Sequence, residues 1–300
     1  MIKIAYHPLY AHPLPEGHRF PMLKYELIPG QLLHEGTIQS AHLFEPLPLV
    51  EEHVLTTHNQ GYWLQLKNLT LPAAAQRRIG FPLNERLLER ELRIAQGSVD
   101  GAKFAMESGV AFNIAGGTHH AGSNWGEGFC LLNDQAIASN FLLNNDLAKR
   151  ILIIDLDVHQ GNGTAEIFQT EPRVFTFSMH GDKNFPFRKE TSDLDIPLAD
   201  GTDDEVFLDT LAETLPKIFR QHDPDFVFYL SGVDVLLSDK LGKLALSKSG
   251  CKQRDQYVFE TCIKHQIPLQ VSMGGGYSED IKVIVDAHCN TFRTAFDLFD

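Results

Sequence analysis

Two carboxylates and an imidazole at alternate positions follow an unbroken apolar run in Ile151-Leu-Ile-Ile-Asp155-Leu-Asp157-Val-His159-Gln-Gly-Asn162-Gly163. A short run of this kind reads as a strand buried on both faces. Alternation along an extended chain sets Asp155, Asp157 and His159 on one side. Gly161 and Gly163 then end the strand and turn the backbone. Ligand-type side chains at the end of a buried strand are costly unless something compensates them. A divalent metal is the simplest compensation. Two oxygens with one nitrogen suit zinc, with ferrous iron as the alternative. The competing explanation is a strand end whose aspartates cap the next helix.

Four further strand-like segments each run straight into polar or glycine residues. After residues 110–114 comes Gly116-Gly-Thr-His119-His120-Ala121, and after 173–177 comes Ser178-Met179-His180-Gly181. After 225–230 comes Ser231-Gly-Val-Asp234, and after 268–272 comes Met273-Gly-Gly-Gly-Tyr277. In open α/β sheets the ligand site lies beyond the carboxyl ends of the strands, so all these loops should converge on one crevice. Asp234 is the natural third protein ligand beside Asp157 and His159. Three ligands leave a coordination position open, the pattern of a catalytic metal. Of the tandem imidazoles His119 and His120, one can serve as general base toward a metal-bound water and the other as its electrostatic partner. The Tyr277 phenol can stabilise an oxyanion. No Lys-Ser/Thr follows the glycine run, which argues against a phosphate loop. Phe129, after Gly126-Glu-Gly128, and Phe185, in Asn184-Phe-Pro-Phe187, supply two rings for a slot that would take a narrow apolar chain.

The elements that must position these groups alternate. Strands are expected at residues 2–6, 110–114, 151–156, 173–177, 225–230 and 268–272. Helices are expected at 20–34 (interrupted by Pro29 and Gly30), 50–66, 84–107 as one long helix or a pair, 131–143, 164–168, 203–221, 249–264 and 278–298. Residues 72–81 read as a loop or broken helix. Strands alternating with helices mean a mainly parallel sheet covered on both faces. The sequence shows no repeat and no linker, so residues 1–300 are expected to form a single α/β domain. The histidines of the Pro-rich segment 7–18 are irregularly spaced, which favours loop packing or exposure over metal binding.

Composition bounds the function. The chain has 300 residues, 43% of them hydrophobic, and a net charge of -13. That charge argues against non-specific nucleic-acid binding and weakly favours a cationic partner or substrate. Cys130, Cys251, Cys262 and Cys289 show no C-x-x-C spacing and read as reduced thiols. With no signal-peptide pattern and no apolar run long enough to span a bilayer, a cytoplasmic protein without membrane contact is expected.

Taken together, Gly116-Gly-Thr-His-His-Ala121, Gly128-Phe-Cys130, Asp155-Leu-Asp-Val-His-Gln-Gly161, Asp234 and Gly274-Gly-Gly-Tyr277 resemble the histone deacetylase superfamily, zinc amidohydrolases of arginase-like α/β fold. They occur in the family's order and cover the chain from about residue 112 onward. His12-Pro-Leu-Pro-Glu-Gly-His-Arg-Phe-Pro21 and Gly232-Val-Asp-Val-Leu-Leu-Ser-Asp-Lys-Leu-Gly242 look like the class IV and related bacterial branch. The resemblance implies zinc on Asp157, His159 and Asp234. It implies His120 as general base and acid, His119 oriented by Asp155 as its partner, and Tyr277 polarising the acyl carbonyl. Gly128, Phe129, Phe185 and Leu241 would border a tunnel for an acyl-lysine of a peptide or protein, or for another acylated amine. A potassium ion would lie near Asp155, Asp157, His159, Ser178 and Met179. Two departures look like the class IV branch: Gln160 where many members have a second His, and Asn162 where many have an Asp partner for the second tandem His. Both bear on the charge of His120. The implied activity is zinc-dependent deacylation. An acetylpolyamine amidohydrolase would share the same residues, and a non-catalytic acyl-ligand binder is the reading of a different class.

Overall fold

The segments richest in β-branched and aromatic residues, Ile151-Leu-Ile-Ile and Phe226-Val-Phe-Tyr-Leu, are buried along their whole length at the centre of one sheet. The computed structural model describes residues 1–299. In chain order the elements are β1 (Lys3–Ala5), α1 (Lys24–Glu35), β2 (Leu43–Phe44), α2 (Glu51–Leu55), α3 (Gln60–Lys67), α4 (Ala73–Ile79), α5 (Glu85–Ser108), β3 (Val110–Asn113), α6 (Asp134–Asn144), β4 (Ile151–Asp155) and α7 (Asn162–Phe168). They continue with β5 (Val174–Gly181), β6 (Leu194–Leu198), α8 (Asp204–His222), β7 (Phe226–Leu230), α9 (Lys248–His265), β8 (Leu269–Ser272) and α10 (Ile281–Phe299). The eight strands are all parallel, in the order β2-β1-β3-β8-β7-β4-β5-β6.

That order matters for the site. The four strands whose ends carry Gly116-Gly117, Gly274–Gly276, Asp234 and Asp157 are the adjacent central strands β3, β8, β7 and β4. Their registers align the strand ends in one row: Asn113 pairs with Ser272, Ser272 with Leu230, Leu230 with Asp155, and Asp155 with Ser178. Loops that leave from one row necessarily meet in one crevice.

Several expectations change. α1 runs unbroken through Pro29, because Tyr25, Ile28, Pro29 and Leu32 form a buried face packed on α10, and that burial outweighs the lost backbone donor. Residues 50–66 split into α2 and α3 at the Thr56–Asn59 turn. Residues 72–81 contain α4, closed by Gly80 at φ 85°. Residues 84–107 form a single helix whose N-terminus is capped by Asn84, which accepts from the Leu87 N–H at 2.8 Å. Gly97 allows that helix to approach the sheet; a Cβ there would lie 2.7 Å from the Tyr10 hydroxyl. β5 does not stop at Phe177 but continues to Gly181, because the edge strand β6 pairs along it. β2 and β6 were not expected; two residues in one and a proline at Pro197 in the other hide the strand pattern. Of the Pro-rich segment's histidines, His12 is buried against Phe81 and His18 Nε2 lies 2.9 Å from the Gly80 carbonyl oxygen, as loop packing predicts. All four cysteines are free and buried. No helix among the described residues is long and apolar enough to cross a membrane.

Candidate functional site

Asp157, His159 and Asp234 come together beyond β4 and β7, each offering a ligand atom within 4.8 Å of the others, and all three are buried. His159 Nδ1 lies 3.0 Å from Asp157 Oδ1 and 3.1 Å from Asp234 Oδ2, so one nitrogen faces both carboxylates. The backbone holds this geometry. Val158 N–H donates to Asp234 Oδ1 at 2.9 Å, and Gly275 N–H donates to Asp157 Oδ2 at 2.8 Å. A side chain at Gly275 would collide with the Asp234 carboxylate, so the Gly-Gly-Gly stretch is what lets the β8 loop close over the aspartates.

The electrostatics ask for a cation. Burial and the neighbouring charge of Asp157 push Asp234 up to about 7. Burial would raise Asp157 as well, but its hydrogen bond to His159 and the charges of His119 and His159 hold it well below the usual carboxylate range. Burial would lower His159, but the two carboxylates outweigh it and raise the imidazole to about 10. Two buried carboxylates in mutual repulsion, sharing one imidazole nitrogen, are a donor set that a divalent ion would neutralise. The residues therefore fit a metal, and two oxygens with one nitrogen fit zinc.

The tandem histidines stand beside this trio, with ring centroids 4.1 Å apart. His119 Nδ1 lies 2.6 Å from Asp155 Oδ2. Burial lowers the His119 pKa, but Asp155 reverses the effect and leaves it raised. His120 Nδ1 lies 2.7 Å from Asn162 Oδ1, and Asn162 Nδ2 donates to Glu127 Oε1 at 2.7 Å. The carboxylate can only accept, so the amide nitrogen must face Glu127 and the amide oxygen must face His120. His120 Nδ1 therefore carries the proton, and Nε2 keeps its lone pair. Burial, and then the charges of His119 and His159, lower the His120 pKa well below its ordinary value. Asp134 anchors the loop that carries both rings: it accepts from the Thr118 N–H at 2.9 Å and from the Ser98 hydroxyl.

Phe129, Phe185, Leu241, Gly128, His120, His159 and Tyr277 line one open cavity of about 400 Å³. Phe129 has φ 70°, rare for a bulky residue. It is held there because its N–H donates to the Ile79 carbonyl at 2.7 Å while its ring packs among Phe20, Phe81 and Tyr277. The Phe185 ring stands 4.9 Å from that of His120. Burial, then the charges of Asp234 and Asp157, raise the Tyr277 phenol well above its ordinary pKa, so it stays a hydrogen-bond donor. Ser178 and Met179 are buried in β5 beside Asp155, with Ser178 Oγ 2.9 Å from His180 Nδ1.

Three residues were not singled out from sequence. Glu127 backs Asn162. Asp239 accepts from the Tyr277 N–H at 2.6 Å and from the Leu241 and Gly242 N–H groups at 2.8 Å each. Lys24, buried in α1, donates to the Gly274 carbonyl at 3.0 Å; burial lowers its pKa to about 8 against the opposing pull of Asp234 and Asp157. Asp239 had a usable signal, since Ser238-Asp239 precedes the Leu-Gly turn whose amides it caps. Glu127 and Lys24 had none, because their partners are distant in sequence.

A parallel sheet with a buried Asp–His–Asp cluster beside an aromatic slot defines an α/β protein with a candidate metal site. Residues 18–292 match the histone deacetylase domain, and the chain belongs to that family. An uncharacterised protein of Picosynechococcus sp. is 45% identical over 296 residues, covering 99% of each chain. Histone deacetylase 2 of Arabidopsis thaliana is 30% identical over 286 residues, covering 92% of this chain and 74% of its own. The crystal structure of an HDAC homolog complexed with SAHA superposes with a TM-score of 0.82 at 25% identity, covering 98% of this chain and 82% of that one. The HD domain of HDA15 gives the same score at 20% identity and shares the fold, covering 99% of this chain and 88% of its own.

Proposed function

We propose that this chain is a single catalytic domain that hydrolyses acyl amides, with N6-acyl-lysine of proteins or peptides as substrate and zinc as the metal. The carrying observation is the placement of the buried Asp157–His159–Asp234 trio below a slot walled by Phe129 and Phe185, with His120 and Tyr277 lining the same cavity. Zinc held by these three ligands would supply Lewis-acid polarisation and would lower the pKa of a water at the site. The apolar walls bind the methylene chain of the lysine and exclude bulk water. Tyr277 donates its hydroxyl hydrogen to the acyl oxygen as negative charge develops there. His120 Nε2, with its lone pair free, takes the proton of the attacking water and delivers it to the leaving amine nitrogen. His119, tied to Asp155, stays the more basic ring and holds positive charge beside it. Gln160 and Asn162 support assignment to the class IV and related bacterial branch. The potassium ion of the family would lie beside Ser178 and Met179.

The test is metal-dependent release of acetate or a longer acid from a series of acyl-lysine peptides of graded acyl length, with acetylated polyamines in parallel. Turnover that disappears on chelation and returns with zinc supports the reading. Turnover confined to acetylpolyamines, or stoichiometric acyl-peptide binding without acid release, overturns it.

A further inference from the structure

The chain is acidic, with 26 Lys and Arg against 39 Asp and Glu, yet the mouth of its slot is not. Arg19, Arg78, Lys183 and Lys243 line the cavity, and none of its described lining residues is Asp or Glu. These four come from four separate segments. The Arg19 guanidinium sits over the Phe129 ring, 5.1 Å from its centroid. The Arg78 carbonyl accepts from the Gly128 N–H at 3.1 Å, which fixes the end of α4 to the slot wall. The Lys243 carbonyl accepts from the Gly201 N–H at 2.7 Å. Lys183 Nζ has Asp200 at 3.7 Å, a largely exposed pair of little strength. Among the described residues, no carboxylate lies within ion-pair distance of Arg19, Arg78 or Lys243. An acyl-lysine side chain seated between Phe129 and Phe185 would lay the residues that flank it across this rim.

We propose that the rim selects acyl-lysines set among acidic residues, by attracting carboxylates on either side of the modified lysine. The proposal rests on the deacylase reading and names the substrate class within it. A polycationic acetylated amine would bring its charges into four like charges at the mouth and is disfavoured.

The experiment uses the zinc-loaded full chain and three peptides of equal length with a central acetyl-lysine, flanked by Asp and Glu, by Ser and Ala, or by Lys and Arg. Rates of acid release and affinities by fluorescence anisotropy are measured separately, at low and at physiological salt. The acidic peptide should exceed the basic one on the order of tenfold in both readouts at low salt, and salt should narrow the gap. In Arg78→Glu/Lys243→Glu, two exposed positions, the order should invert. Equal values, a preference for the basic peptide, an order the charge reversal leaves in place, or no binding of any peptide overturns the proposal. Charge-ordered binding without hydrolysis would sink the deacylase reading and leave this one standing. Hydrolysis without charge order would do the opposite.

Discussion

The floor and the mouth of one slot are built on opposite principles. At the floor, Asp155, Asp157 and Asp234 are buried at strand ends, and every carboxylate is met by a backbone N–H or an imidazole. Geometry is fixed there because any movement would leave a buried charge unpaired, which costs several kcal/mol. At the mouth, Arg19, Arg78, Lys183 and Lys243 are exposed, and Phe187 is 89% exposed. Such exposed groups are screened by salt and change affinity more than chemistry. On the proposed function, reaction type would be set by a few buried groups and substrate choice by an exposed ring. The loss from mutating a charged or reacting group should therefore fall from floor to mouth.

The largest effect is expected at Asp234. Replacing it with Ala removes a ligand and leaves the buried Val158 N–H without its acceptor; replacing it with Asn keeps that acceptor. Both variants should lose stoichiometric zinc, measured by elemental analysis of folded protein, with activity falling to background. A zinc-replete, fully active Asp234→Asn protein would mean that the floor does not hold the ion. Tyr277→Phe comes next. Loss of one oxyanion donor lowers turnover on the order of a hundredfold or more, while the zinc content should not change. An unaltered kcat would place the hydroxyl away from the reacting carbonyl.

The same divide governs what could be read from the sequence. Asp155, Asp157 and His159 were legible because they follow an unmistakable buried run, although β4 ends at Asp155 and a bent segment held by Asp155 and Asp157 side-chain contacts to backbone N–H groups, rather than strand alternation, places Asp157 and His159. Asp234 and Tyr277 were legible because they lie in the loops that follow strands of the same kind. The row of aligned strand ends follows from parallel pairing alone. The mouth was not legible. Arg19 lies in a Pro-rich loop, Arg78 at the end of a seven-residue helix in a stretch that reads as a loop or broken helix, Lys183 in a turn and Lys243 in an irregular segment. No periodicity links four exposed cations, and the overall charge pointed toward a cationic partner. Glu127 was missed for a related reason: its contact with Asn162 spans 35 residues and depends on the turn at Gly128. The continuity of α1 through Pro29 was missed because local propensity was overruled by packing on α10.

A smaller loss is expected at the wall. The Phe129 ring is part of a cluster with Phe20 and Phe81, with centroids 5.0 and 5.2 Å away, so Ala there threatens stability as well as binding. Phe129→Leu keeps most of the apolar volume. KM for an acetyl-lysine peptide should rise about tenfold in Phe129→Ala and less in Phe129→Leu. A minimal hydroxamate that contacts only the metal should lose less in both. Equal losses for peptide and hydroxamate would indicate general damage rather than a missing wall.

The smallest effect at neutral pH is expected at Asn162, which belongs to the floor by position but carries no charge. An Asp facing an imidazole stabilises its protonated form and raises its pKa. Asn162 brings no charge and raises the His120 pKa only through its hydrogen bond, which burial and then the charges of His119 and His159 outweigh, leaving the pKa well below its ordinary value. The ring therefore remains neutral, and competent as a base, to low pH. Raising its pKa must move the acidic limb of the kcat/KM profile toward higher pH, because the ring is then protonated earlier as pH falls. The structure complicates the simple exchange. Asn162 Nδ2 donates to Glu127 Oε1, so Asn162→Asp alone would set two carboxylates against each other, and a proton shared between them would cancel much of the added charge. Asn162→Asp/Glu127→Gln removes that conflict, since Gln can donate to the new carboxylate. The acidic limb should move upward modestly in the single variant and by about one pH unit in the double variant. The plateau rate should change little, and zinc content must be checked at every pH. Because the limb also reports coupling to other groups at the site, the comparison between single and double variants carries the argument rather than either value alone. A double variant whose limb stays in place or moves to lower pH would show that residue 162 does not set the proton affinity of His120.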